Sequence, residues 1–230
     1  MYINGFDVSY LVYMIPALVI TVAAQIYVKV TYSKYSKIPS PSGLSGFEAA
    51  KLVLDSGGVS GVAIAPAGGE LTDNYNPQTN VISLSGSVYS ERSVAAIGVA
   101  AHEAGHALQY AEGYAPIKIR TAIIPVTRIG SLLSWPLVIL GILFSFRPLA
   151  WAGVIFFAAC VVFQFVTLPV ELNASRRAVT VLQSAGIDGD TVKGAKKVLT
   201  AAALTYMAAL ATAILQMLRL LAMISRSSKR

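Results

Sequence analysis

The sequence predicts an α-helical integral membrane protein with three or four transmembrane helices and a small α+β domain. Three observations carry that prediction. Hydrophobic residues make up 55% of the 230-residue chain and charged residues only 13%, where a soluble domain carries about 25% charged residues. Several apolar runs approach the roughly 20 residues that cross a bilayer core. Between the first two runs lies a polar stretch with capping and turn residues, which reads as folded α+β structure.

The first run, Tyr10 to Val28, has no charge over its length. The preceding MYINGFDVS carries no Lys or Arg, so the basic start of a cleaved signal peptide is missing, and the run reads as an uncleaved helix. Pro16 is tolerated within it because neighbouring helices satisfy the freed carbonyl. A second run, Ile129 to Phe146, and a third, Leu149 to Leu168, flank Arg147-Pro148 as a helical hairpin. A fourth, Val198 to Ile224, contains Arg219, so its last turns are expected at an interface.

In the polar stretch, Ser45 and Glu48 have the capping-box spacing, and the short amphipathic helix that follows ends at Gly57-Gly58. Val62 to Ala65 and Asn80 to Leu84 read as strands, with Asn74 to Pro77 as a turn before the second. Glu91 to Ala111 reads as a helix, Glu91 at its N-terminal dipole and Gly113 past its end. The expected organisation is a first transmembrane helix with its basic flank (1–37), an α+β segment (38–128), a transmembrane hairpin (129–168), a short helix and loop (169–197), and a last transmembrane or interfacial helix with a basic tail (198–230).

The net charge is +7, and most basic residues flank apolar runs. That pattern fits anionic lipid headgroups, and neither a basic helix nor a basic-aromatic strand speaks for nucleic acid. The single cysteine, Cys160, lies in an apolar run and excludes an internal disulfide and CxxC metal chemistry.

The chain has two histidines, and both fall in AHEAGHALQY. His102 and His106, four apart on a helix, project from one face, where two imidazole nitrogens can bind one Zn²⁺. Glu103 lies about 100° further round, suited to take a proton from water. This is the HExxH arrangement. Two histidines placed at random would be four apart in roughly 1% of chains this long, so chance is a poor explanation. Two helix histidines held only by hydrogen bonds are the competing reading.

A catalytic zinc site takes three protein ligands and keeps an open position. With no further histidine, the third ligand falls to one of eleven carboxylates. Asp188 and Asp190 lie in a Gly-rich turn that ordinary turn chemistry explains. Asp7, Glu48, Asp55, Glu70, Asp73 and Glu91 precede the motif, and Glu112 points away from the histidine face. Glu171, in TLPVELNASRRAV, remains. It either caps the N-terminus of a helix or ligates, and ligation is preferred because two-histidine catalytic zinc sites take a glutamate. The intervening hairpin returns the chain to the side it left, as shared ligation requires.

Together, LTDNYNPQTNVISLS, AAHEAGHALQYAEGYAP, SWPL, LPVELNASRRA and GAKKVLTAAALTY resemble the bacterial neutral zinc metallopeptidases of the membrane, the YugP-like family, over nearly the whole chain. In site pattern the chain is similar to HtpX-type membrane gluzincins, whose third ligand lies in E-x-x-A-D. Glu171 and Ala174 occupy that pattern, and Ser175 replaces the aspartate. The resemblance implies a zincin-like fold and a zinc-dependent endopeptidase, with His102, His106 and Glu171 as ligands and Glu103 as base.

The expected reaction is peptide-bond hydrolysis, on a protein or peptide substrate, membrane proteins included. Tyr110, Tyr114, Arg176 and Arg177 are the candidate oxyanion donors. Asn80 to Leu84 is the candidate edge strand for aligning a substrate. Lys29, Lys34 and Lys37 follow the first span, which no Lys or Arg precedes, so the site is expected on the cytoplasmic side of the cell membrane. The basic tail SRSSKR conflicts with that orientation if the last run crosses fully. A non-catalytic zinc-binding membrane protein acting in partner binding is the alternative from another class.

Overall fold

A computed structural model describes residues 2–3 and 6–227. Two short antiparallel strands, β1 (Tyr2–Ile3) and β2 (Phe6–Asp7), precede helix α1 (Val8–Tyr35). Helix α2 (Gly46–Ser56), strands β3 (Ala63–Ala67), β4 (Asn74–Asn76) and β5 (Val81–Ser85), the short α3 (Gly86–Tyr89) and α4 (Val94–Ala111) follow. The chain continues through α5 (Ala115–Leu143), α6 (Arg147–Ser184) and α7 (Gly189–Ser227). Among the described residues, four helices are long and apolar enough to cross a membrane. The protein is therefore an α-helical membrane protein carrying a small sheet. Of the tail, residues 228–230 lie outside the described residues.

The chain divides into two compact units. The first gathers residues 1–25, 119–168 and 205–230. Its core is apolar side chains from three helices, Val138, Ala150, Val154, Leu220 and Ile224. Backbone groups approach closely where side chains are smallest: a Cβ on Gly153 would meet the Ser134 carbonyl at 2.6 Å. Such contacts drive helix association in lipid, where hydrophobic burial contributes little. Leu132, Leu143, Ile155 and Phe165 are largely exposed on these helices, as side chains facing acyl chains are. Arg219 lies over the rings of Tyr10 and Trp135, at 4.6 and 5.3 Å, so its charge is held by aromatic faces.

The second unit, residues 26–118 and 169–204, holds the sheet. Ser45 caps α2 and the full capping box with Glu48 forms. Hydrogen bonds from the Ser45 backbone and hydroxyl hold the Glu48 carboxyl below its usual range. Ala49, Ala50 and Val53 of α2 pack with Ile82 and Leu84 of β5, with Ala100, Ala104 and Ala107 of α4, and with Leu182, Ala195 and Leu199 further along. The alanine-rich face of α4 lets its neighbours come near. A Cβ on Gly98 would lie 3.2 Å from Ala195, and one on Gly105 would lie 2.6 Å from the Ala174 carbonyl.

Three local expectations are corrected. Asn74 to Asn76 is not a turn but strand β4, pairing antiparallel with β5; the turn comes one step later, where Asn76 Oδ1 accepts from Gln78 N. Helix α4 starts at Val94, not Glu91, because the Ser93 hydroxyl accepts from Ala96 N and supplies the cap. The sheet order is β3-β5-β4, with β3 parallel and β4 antiparallel to β5. The predicted strand Asn80 to Leu84 is thus the central one, and both its edges are paired.

Candidate metal centre

The site is built inside the second unit, by α4 and the later part of α6. The i, i+4 spacing places the His102 and His106 rings side by side, centroids 4.7 Å apart. Glu171 approaches from α6, its Oε2 3.2 Å from His102 Nε2 and 3.5 Å from His106 Nε2. The close passage at Gly105, between the two histidines, lets α6 come near enough for this. One ligating atom from each of the three residues fits within a 4.8 Å group.

Sequence reasoning placed Glu171 at the head of a helix, and the structure corrects that. Helix α6 runs unbroken through Pro169, and Glu171 sits in its interior at 2% exposure. Capping a helix N-terminus is therefore not its role. A carboxylate buried against two imidazoles has the donor chemistry of a two-histidine, one-glutamate zinc site. Tetrahedral ligands about 2.0–2.1 Å from a metal stand about 3.3 Å from each other, and the two measured separations bracket that value.

The outer nitrogens of both rings are engaged. Ser175 Oγ lies 3.0 Å from His102 Nδ1, and Gln109 Oε1 lies 3.0 Å from His106 Nδ1. Gln109 is fully buried, and its amide nitrogen donates to the Val170 carbonyl and to Asn173 Oδ1. Asn173 Oδ1 also accepts from Arg177 Nε, and Arg177 pairs with Glu112. Gln109 and Asn173 escaped sequence reasoning, although each lies within three residues of a predicted ligand. Their spacing was a usable signal, since His106 and Gln109 share a helix face at i, i+3.

Burial opposes a proton on His106, but the Glu171 hydrogen bond and the charges of Glu103 and Glu171 outweigh it and raise the pKa. Protons therefore compete for this ring more strongly than for an exposed imidazole. Glu103, on the same turn of α4, is 9% exposed. Of the four candidate oxyanion donors, Arg177 is committed to Glu112 and Asn173 and lies over the Tyr114 ring at 5.9 Å. Tyr110 packs its ring on Tyr75 of β4, 5.6 Å between centroids. Arg176 lines a groove on the second unit with Ser175 and Lys196.

Comparison with known proteins bears directly on this geometry. A family model described as "Putative neutral zinc metallopeptidase" matches residues 10–225. The chain is 44% identical over 206 residues to a Bacillus subtilis (strain 168) protein named "Putative membrane protease YugP", covering 89% of this chain and 92% of that one. No solved structure matches. A match that spans both apolar ends and every residue gathered around Glu171 leaves one conclusion: the chain belongs to the family of neutral zinc metallopeptidases, and zinc is the metal its two histidines and glutamate are suited to hold.

Proposed function

We propose that the protein is a membrane-embedded zinc endopeptidase of gluzincin type, with His102, His106 and Glu171 as ligands and Glu103 as general base. The observation that carries the reading is the convergence of both imidazoles on a buried carboxylate brought from 69 residues away. When bound, Zn²⁺ supplies a Lewis acid that polarises the scissile carbonyl and makes water acidic enough to react near neutral pH. Glu103 takes the proton of the attacking water and delivers it to the departing amine. The peptidase portion is proposed to comprise residues 38–128 and 169–197.

A substrate needs an open strand edge, which β5 does not have. Strand β4 borders the sheet, and its Tyr75 packs on Tyr110 of the histidine helix. We assign substrate alignment to β4, by β-strand addition. Lys29, Lys34 and Lys37, after the first span, support a site on the cytoplasmic side by the positive-inside rule. Substrates are proteins or peptides that reach that face, membrane proteins among them.

The decisive experiment compares wild type with Glu103→Gln, purified in detergent, for zinc content and for cleavage of an unfolded protein substrate. The variant is expected to keep its zinc and lose hydrolysis. Equal cleavage by both would remove Glu103 from the chemistry. A zinc-loaded wild type that cleaves nothing would favour a zinc protein acting in partner binding.

A further inference from the structure

We infer that Gln109 is a positioning residue of the metal centre: its side-chain oxygen fixes the proton of His106 on Nδ1 and so frees Nε2 for the metal. The inference rests on the metal-centre reading and deepens it. It follows from the polarity of groups that have no choice. The Val170 carbonyl can only accept, so the Gln109 atom 2.8 Å from it must be the donating nitrogen. The amide oxygen then faces His106 Nδ1 at 3.0 Å. An amide oxygen only accepts, so Nδ1 must carry the proton. In the neutral ring that a metal requires, Nε2, the atom facing Glu171, is then the nitrogen with the lone pair.

A second chain of donors fixes the same orientation. Arg177 has no acceptor atom, so the Asn173 atom 2.8 Å from its Nε is the oxygen. That oxygen accepts the Gln109 amide nitrogen at 2.9 Å as well. The order of protons thus runs from the Glu112–Arg177 ion pair through Asn173 and Gln109 to His106. Each link is a hydrogen bond between side chains of the second unit. Outer partners of this kind orient a ligating histidine and raise its basicity. The same ring also faces the carboxylate of Glu171, and without the Gln109 oxygen nothing in this network would favour Nδ1 as the protonated nitrogen.

The test sets two substitutions against each other. Gln109→Leu removes the acceptor. Gln109→Glu keeps an acceptor for Nδ1–H but loses both donations, to Val170 and Asn173. Zinc affinity is read by competition with a chelator in the full-length, detergent-purified chain. Gln109→Leu is expected to bind zinc about 10- to 100-fold more weakly. Gln109→Glu is expected to stay near wild type, although both melt at lower temperature. A merely structural role, resting on the two donations, predicts equal losses, and that result overturns the inference. If neither variant folds, ¹⁵N-histidine spectra of the zinc-loaded wild type decide, with only two rings to assign. A slowly exchanging Nδ1–H on His106 is expected, and its absence overturns the assignment. A folded wild type that takes up no zinc defeats the metal-centre reading itself, and shows before any variant is compared.

Discussion

Glu171 and Ser175, one helical turn apart on α6, hold the two nitrogens of a single ring: Glu171 Oε2 lies 3.2 Å from His102 Nε2, and Ser175 Oγ lies 3.0 Å from Nδ1. The imidazole is therefore clamped from its inner and outer edges by one face of one helix. Ser175→Ala is expected to weaken zinc binding roughly tenfold, at the low end for an outer partner. Ser175→Asp, which places a stronger acceptor behind the ring, is expected to tighten it. Chelator competition on both variants checks the order, and a Ser175→Asp protein that binds no better than Ser175→Ala would count against the clamp.

Removing the carboxylate is a harsher change than removing a partner behind the ring. Glu171→Ala is expected to reduce zinc affinity by more than the 10- to 100-fold range of outer partners, measured as zinc per chain after dialysis. Full zinc retention would expel Glu171 from the site.

The approach of α6 to α4 depends on the missing side chain at position 105. A Cβ there would stand 2.6 Å from the Ala174 carbonyl. Gly105→Ala must push the helices apart, at about 1–3 kcal/mol, the usual cost of overpacking. It is expected to lower the melting temperature and to weaken zinc binding together, because Glu171 moves away with its helix. Unchanged zinc affinity in a destabilised variant would uncouple the passage from the site.

Asp188 caps the start of α7 by accepting from Thr191 N at 2.8 Å. The Thr191 hydroxyl and backbone hold its carboxyl below the ordinary aspartate range. A folded-state pKa held below the unfolded one adds stability that is full above about 3.9 and is lost as pH falls through the folded value. Asp188→Ala is thus expected to cost about 1 kcal/mol near neutral pH, a typical cap. The two proteins are expected to converge in strong acid. Unfolding midpoints at neutral pH and at low pH measure both statements.

Orientation is open to labelling. With Cys160 replaced by Ala and a cysteine put at Lys37, an impermeant maleimide is expected to leave intact cells unlabelled and to react after lysis. Labelling of intact cells would place the site outside.

Much of this was written in local spacing. HEAGH pointed to a helix face suited to a metal because i, i+4 is a property of the helix alone. Glu171 could be reached by elimination, since so few carboxylates exist. The capping box at Ser45 was legible for the same local reason. What depended on distant partners was not. Nothing near Asn80 to Leu84 told that β3 and β4 would occupy both its edges, and Asn74 to Asn76 resembled a turn until β5 was there to pair with. Gln109 looked like any helix glutamine, because its importance lies in the Val170 carbonyl and Asn173, 61 and 64 residues away. The helix carrying Glu171 reads in the sequence as a new one after the third apolar run, whereas α6 continues straight through Pro169.

The separation of the ligands along the chain also sets a clock. His102 leaves the ribosome 69 residues ahead of Glu171, a delay of about 3–14 s at ordinary rates of synthesis. Both apolar runs of the hairpin, 129–146 and 149–168, are translated within that interval. A nascent chain therefore carries an HExxH helix for seconds before Glu171 exists, and the proposed three-ligand site can close only after both apolar runs have been made. Chains cut short before Glu171 lack the carboxylate that faces both imidazoles.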